Sequence, residues 1–315
     1  MATLEGLSTP SAARAGAASA ARRRRWRRRV VPWLFILPAV LLHLIVIGGP
    51  ALFTFFLSLT SWNGFAFGKV IGFDNYRQVF TADTTIGSAV MNNIRWTIIF
   101  LTIPIALGLG VALMLRTIAH SGVQMTYRTI FYLPATMSSA VVGRLWQWIY
   151  DPFYGINTLL TSWGWTGLAQ SWLADPNIAL YAVANADNWR WWGFLMIIFL
   201  AALHNVEPTL YEAARVDGAG GFRLFWHITL PNLRPTLVFV GLLTIIWSFQ
   251  VIDLIFIMTQ GGPANATMTL AMWIYQEAIY NYSPGYGSAI AVLMTLGLSG
   301  FIAGFVYLRY KGWDV

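Results

Sequence analysis

The chain of 315 residues contains no cysteine, which removes disulfides, thiolate metal sites and cysteine nucleophiles from its chemistry. Charge is also scarce. Only 10% of residues are Asp, Glu, Lys or Arg, against about 25% in a soluble domain. So few charges cannot solvate a globular surface of this size, and the chain must meet lipid. The four histidines do not fall at metal-ligand spacing, and no catalytic triad or paired-carboxylate site stands out. A phosphate loop is missing too. The nearest match, Gly64 to Val70, is one residue short and has Val70 where a Ser or Thr would hold magnesium. Any ATP hydrolysis that drives this protein must take place on another chain, and this one is expected to bind no cofactor itself.

What the chain does contain is apolar. Hydrophobic residues make up 57% of it, with 16 Trp, 20 Phe and 13 Tyr. Trp and Tyr favour the membrane–water interface, where an amphipathic ring sits half in each phase. A helix needs about 20 apolar residues to cross the hydrocarbon core. Six such runs are predicted, at about 31–59, 92–115, 129–150, 179–203, 234–259 and 286–308. They are continuous rather than alternating, which argues against a barrel. The first is overlong and interrupted by Gly48, Gly49 and Pro50. The fold class expected is all-α, a polytopic membrane protein of six transmembrane helices.

The net charge of +8 would suit a nucleic-acid partner, but eight of the 20 Lys and Arg lie before residue 30. A single basic tail on an apolar body reads instead as an orientation signal, with no nucleic acid implied. Between and beyond the runs, 15 Lys and Arg fall on the side of that tail and two, Lys69 and Arg77, on the other. The positive-inside rule then places both termini in the cytoplasm. Residues 1–28 are expected to be a disordered basic tail, and 29–311 the transmembrane domain. The first apolar run far exceeds the 7–15 residues of a signal peptide, and no small-residue cleavage site follows it. It is expected to stay as a helix.

One polar loop, 204–233, stands out between the fourth and fifth runs. Pro208 suits a first helical turn, where its missing N–H costs nothing. Leu210, Ala213 and Ala214 share a helix face, and Glu212 and Arg215 are spaced to pair along it. Gly218 follows Asp217 where a left-handed cap is usual. A second short helix is predicted over about Phe222 to Ile228, ended by Pro231 and Pro235. The product would be a stiff elbow on the cytoplasmic side.

This loop resembles the signature of bacterial ABC-importer permeases: Glu-Ala-Ala, three residues, Gly, nine residues, Ile, one residue, Leu-Pro. The positions fall on Glu212, Ala213, Ala214, Gly218, Ile228, Leu230 and Pro231 without slip. The resemblance covers roughly residues 31–310. Further blocks are similar to the sugar-type branch that includes the maltose and glycerol-3-phosphate systems. They run from Tyr127 to Pro134 and on to Pro152, from Trp189 to Leu203, from Phe249 to Asp253 with Thr259 to Pro263 and Thr267, and from Gly287 to Ala289. Two residues depart from the branch: Gly193, where proline is frequent, and Arg144, in a usually uncharged stretch. The resemblance implies an elbow (Glu212, Ala213, Ala214, Asp217, Gly218, Ile228, Leu230, Pro231) that docks into a cytoplasmic ATPase subunit. It implies ATP and magnesium on two such subunits, a second homologous permease (a heterodimer being usual), an extracytoplasmic substrate-binding protein, and residence in the bacterial cytoplasmic membrane.

Polar residues inside spans usually face a cavity or a partner helix. Candidates are Asn92, Asn93, Arg95, Arg144, Gln147, Trp148, Asp187, Asn188, Arg190, Trp191, Trp192, Trp247, Ser248, Gln250 and Asp253. Sugars are held by aromatic faces and by hydrogen bonds to their hydroxyls, and a mixed Trp, Gln and Arg wall suits them. By resemblance the transit site lies midway along the fourth and fifth spans, at Arg190, Trp191, Phe194, Trp247, Ser248 and Gln250. Interface anchoring and helix–helix hydrogen bonding are the alternative for any one of these, and Asp253 is a candidate partner for Arg144 or Arg190. Two other functions stay open on the residues: a permease for another solute, such as glycerol-phosphate or a polyamine, and an ion-coupled secondary transporter with Asp253 as relay.

Overall fold

The computed structural model describes residues 26, 28, 30–66, 68–118 and 120–310. Most of the expected tail, residues 1–25 with 27, lies outside them, while Trp26 and Arg28 are helical. Two compact units divide at Phe56 and Leu57. The first carries nearly all of helix α1, Val30–Leu57, which includes a π-helical stretch at Leu44–Gly48. Pro50 falls just after that stretch, so the predicted interruption changes the helical pitch without ending the helix.

The second unit is helical. Among its described residues the only β pairing is an isolated bridge between Thr60 and Val70. In chain order its helices are α2 Asp74–Thr81, α3 Thr84–Arg116, α4 Ser121–Tyr132, α5 Ser139–Ile149, α6 Ile156–Ser162, α7 Ala179–His204 and α8 Pro208–Val216. They continue with α9 Gly221–Phe249, α10 Asp253–Met258, α11 Leu270–Tyr275 and α12 Pro284–Tyr310. Among the described residues, α1, α3, α9 and Pro284–Tyr307 of α12 are each long and apolar enough to cross a membrane, and α7 with α8, bent by 71°, makes a fifth if read as one span. The protein is an all-helical, multi-pass membrane protein.

The centre of the unit is the packing of α3 on α7. One core gathers Trp96, Phe100, Val183, Leu254, Met272 and Ile290. The other gathers Leu109, Leu115, Met196, Phe199, Leu203 and Leu233. Asn92 and Asn93 are buried between helices. Asn92 donates to the carbonyls of Met268 (2.9 Å) and Asn265 (3.2 Å), and Asn93 donates to that of Ser248 (2.9 Å) while accepting from Leu270 N–H (2.8 Å). These side chains satisfy backbone groups that a helix break would strand, which is the helix–helix bonding weighed as the alternative for them.

Two predicted runs differ in detail. The run at 129–150 is not one helix: α4 ends at Tyr132, Leu133–Thr136 form a 3-10 turn containing Pro134, and Ser138 caps α5 by accepting from Val141 N–H. An extended Met137 between them breaks the ladder. The run at 234–259 starts earlier and ends sooner. Pro231 and Pro235 do not end a short helix; both sit inside the continuous Gly221–Phe249. The π turn at Phe225–Thr229 shifts the bonding register just before Pro231, and neither proline interrupts the helix.

Candidate functional site

The Asp-Asn-Trp-Arg-Trp-Trp-Gly-Phe stretch of α7 places Asp187, Arg190, Trp191 and Phe194 on one face, by three- and four-residue spacing. The end of α9 does the same with Thr244, Trp247 and Ser248. There the helix stops, with Gln250 as its C-cap, and the chain turns through Val251 and Ile252 into α10 at Asp253. The two faces border a cavity of about 630 Å³, closed further by Trp96, Phe100, Tyr132 and Ala135. All six residues assigned to the solute path from sequence, Arg190, Trp191, Phe194, Trp247, Ser248 and Gln250, line this one cavity.

Its apolar wall is a three-ring cluster. Trp191 and Trp247 meet edge to face, with centroids 4.4 Å apart at 79°. Phe194 lies 5.3 Å from Trp191 and 6.2 Å from Trp247. Its polar wall is a chain of contacts. Arg190 Nη2 is paired with Asp187 Oδ1 at 2.6 Å. Arg190 Nη1 donates to Ser139 Oγ at 2.9 Å, and Ser139 Oγ donates to Asp253 Oδ2 at 3.1 Å. Arg190 therefore reaches Asp253 through a hydroxyl rather than by direct pairing. Arg144 is not part of this chain; it donates to Gln147 at 2.9 Å, and Gln147 donates to the Ile257 carbonyl. Neither of these, nor Trp148, lines the cavity.

Three buried polar atoms of lining residues have no protein partner: Arg190 Nε, Trp191 Nε1 and Thr244 Oγ1. Buried polar groups are usually paired in folded proteins; these three are enclosed within the wall rather than open to the cavity, and four others, on Arg128, Trp146, Asn188 and Gln276, lie in residues that do not line it. Ser248 is less free than its sequence position implies. Its hydroxyl donates to the Thr244 carbonyl at 2.7 Å within the helix. Thr244 and Ser139 were not among the assigned path residues. Thr244 was legible, three residues before Trp247 on the same face. Ser139 was not, because nothing in the sequence brings it to Arg190.

The loop at 204–233 folds as two helices with a capped turn. Pro208 is at the first position of α8. At its end Gly218 N–H donates to Arg215 O (3.0 Å) and Ala219 N–H to Ala214 O (2.9 Å), the paired bonds of a Schellman cap. Gly218 has φ +77°, a left-handed conformation that favours glycine. Tyr211 braces the turn. Arg116, the last residue of α3, lies 4.3 Å over its ring, and its hydroxyl is 3.0 Å from Thr229 Oγ1. Glu212, Ala213, Asp217 and Gly218 are exposed, Ala214 is half-buried, and Ile228, Leu230 and Pro231 are half-buried where α9 begins. Glu212 and Arg215 are not paired; the ion pair recorded among the described residues is Arg190 with Asp187. Also among them, no group of three or more His, Asp or Glu is placed to hold a metal ion.

Residues 94–310 match the family described as binding-protein-dependent transport system inner membrane component. The chain is 34% identical over 285 residues to the sulfoquinovosyl glycerol transport system permease protein SmoG of Agrobacterium fabrum strain C58, covering 89% of this chain and 90% of that one. It is 30% identical over 278 residues to the lactose transport system permease protein LacF of Rhizobium radiobacter, covering 87% and 91%. Its fold is similar to a chain in the crystal structure of a bacterial ABC transporter involved in the import of the acidic polysaccharide alginate, with TM-score 0.80 at 22% identity, covering 93% of this chain and 100% of that one. The matched helices include α7, the capped loop and α9, so the chain belongs to the family of binding-protein-dependent transport system inner membrane components and is an ABC-importer permease resembling the sugar-type branch.

Proposed function

We propose that the chain forms half of the translocation pathway of an ATP-driven importer for a sugar or related solute. The observation that carries this is the convergence of the six sequence-assigned residues on one cavity, lined by six aromatic side chains together with Arg190, Gln250 and Asp253. Aromatic faces suit the C–H surfaces of a sugar ring, and the exposed Gln250 amide and Asp253 carboxylate suit its hydroxyls. SmoG and LacF carry a glycoside and a saccharide in their names, which supports saccharides as the solute class here. The chain itself is non-catalytic. Six spans with cytoplasmic termini complete the topology, the broken 129–150 segment being the sixth.

The capped α8 elbow is the contact for a cytoplasmic ATPase subunit. Glu212, Ala213 and Gly218 lie at its exposed surface, and Tyr211 ties it to α3 and α9, so displacement of the elbow reaches the α3–α7 packing. Two ATPases, a second and homologous permease, and an extracytoplasmic binding protein complete the assembly. A structure of similar fold, at 21% identity and TM-score 0.81, was solved in complex with an alginate-pentasaccharide-bound periplasmic protein, which supports the last of these.

The absence of cysteine makes the test direct. Single cysteines at Trp247 or Gln250, in the transporter purified with its accompanying subunits, should react with a small neutral maleimide, and transported sugar should slow the reaction. Labelling that no saccharide slows, in a preparation still active in uptake, would remove the cavity from the pathway.

A further inference from the structure

The charges on the cavity wall do not balance. Among its lining residues Arg190 is the single cation, facing the carboxylates of Asp187 and Asp253. Its charge is already engaged. Asp187 holds Nη2 at 2.6 Å, and Ser139 takes up Nη1 and passes the contact to Asp253. These contacts use two of its five N–H groups, and Nε is buried without a partner. Arg190 and Asp253 also line a second cavity of about 790 Å³, together with Ser138, Ser139, Phe256 and Tyr275. A solute passing near this bridge meets Asp253 from either side.

We propose that this wall passes uncharged saccharides and rejects anionic ones such as uronic acids, with Asp187 and Asp253 as the rejecting groups. The inference rests on the reading of the cavity as the solute path. An uncharged polyol needs only what the wall exposes: the amide of Gln250, the carboxylate of Asp253, and ring faces at Trp191 and Trp247. A carboxylate needs an uncommitted cation, since an anion taken out of water without one is strongly disfavoured. Here it would stand beside two carboxylates that already share one guanidinium. Repulsion of this kind is how a site discriminates among ligands of similar shape.

The test uses Ala135→Cys as reporter, because Ala135 lines the cavity and has no polar role. The full-length chain, purified with its accompanying subunits in nanodiscs, is labelled with neutral maleimide against a panel of glucose, maltotriose, glucuronate and trigalacturonate. The neutral sugars should give half-protection at a concentration at least tenfold lower than their uronates. Asp253→Asn, at an exposed position, should bring the uronates to within about threefold, and Asp187→Asn should act in the same direction if size-exclusion shows it intact. Uronates that protect as well as or better than neutral sugars, with protection lost in Arg190→Gln, would overturn the selectivity and leave the pathway standing. A Trp191→Ala variant separates the two failures. If no sugar protects, or if protection by maltotriose is unchanged in Trp191→Ala, the cavity is not the solute path and the selectivity falls with it.

Discussion

The carboxylate of Asp83 accepts a hydrogen bond from the indole N–H of Trp273 at 2.8 Å, across 190 positions of sequence. The same oxygen accepts from Tyr286 at 2.5 Å. The other oxygen caps α3 by accepting from the N–H groups of Thr85 (2.8 Å) and Ile86 (3.2 Å). One side chain thus starts the central helix and fastens α11 and α12 to it. Asp83→Ala removes a cap, worth about 1 kcal/mol, and strands two partly buried donors at about 1–3 kcal/mol for each unsatisfied group. A loss of roughly 3–7 kcal/mol is expected. Thermal unfolding in detergent, followed by near-UV circular dichroism, checks it. A midpoint unchanged from wild type would show that Trp273 and Tyr286 find other partners.

Glu277 lies close to this hub, in the segment between α11 and α12, and is buried. Burial pushes its carboxyl above the ordinary glutamate range, the hydrogen bond from Asn281 pulls it back in part, and the negative charge of Asp83 raises it. The sign follows from linkage. A carboxyl raised in the folded state binds more protons there than in the unfolded chain. Its contribution to stability is therefore most favourable at acid pH and declines as pH rises from the unfolded glutamate value through the raised folded one. Above that it stays constant. Glu277→Gln keeps an acceptor for Asn281 and removes the charge. The variant should melt higher than wild type at pH 8, with a smaller difference between pH 8 and pH 5. A lower melting point at pH 8 would mean that the carboxylate is better solvated than its burial implies.

Gly193 is where the chain departs from the branch it resembles, and the packing gives the reason. A Cβ built on it would stand 2.1 Å from the carbonyl oxygen of Phe131. The end of α4 lies directly on the backbone of α7 at this point, so only glycine fits without moving a helix. Gly193→Ala should cost about 1–3 kcal/mol, the range for overpacking. Because Phe131 also packs on Trp192, sugar protection of the cavity reporter should weaken as well. Wild-type stability with wild-type protection would show that α4 can withdraw freely.

The different fates of these readings have physical causes. The two ends of α8 were legible because their signals are local: proline at a first turn and glycine at a left-handed cap act within a few residues. The cavity was legible because Asp187, Arg190, Trp191 and Phe194 repeat at helical spacing, so one correct placement brings the others with it. The segment 129–150 was misjudged as one helix because apolar composition does not register a backbone break; Pro134 and Ser138 were the available signs. The partner of Arg190 was only partly legible, for a different reason. Sequence offers every acidic residue as a candidate, and only packing selects Asp187 directly and Asp253 through Ser139.

Gly218 tests whether the stiffness of the elbow matters. Its φ of +77° is one that a β-branched residue adopts only under strain, and the bonds from Gly218 to Arg215 and from Ala219 to Ala214 depend on it. Nothing lies within 4 Å of a Cβ placed there, so a larger side chain would act through the backbone alone. Gly218→Val should leave the chain inserted and folded, because Gly218 is exposed and makes no core contact. It should open the cap and loosen α8 against α3 and α9, so that sugar uptake by proteoliposomes holding the complete transporter falls severalfold or more while ATP hydrolysis continues. Gly218→Asn, which tolerates the left-handed region, should retain most of the uptake. If Gly218→Val imports sugar at the wild-type rate per ATP hydrolysed, the capped turn is not the element that transmits the stroke. If Gly218→Asn fails as badly as Gly218→Val, it is the side chain and not the backbone conformation that the docking surface refuses.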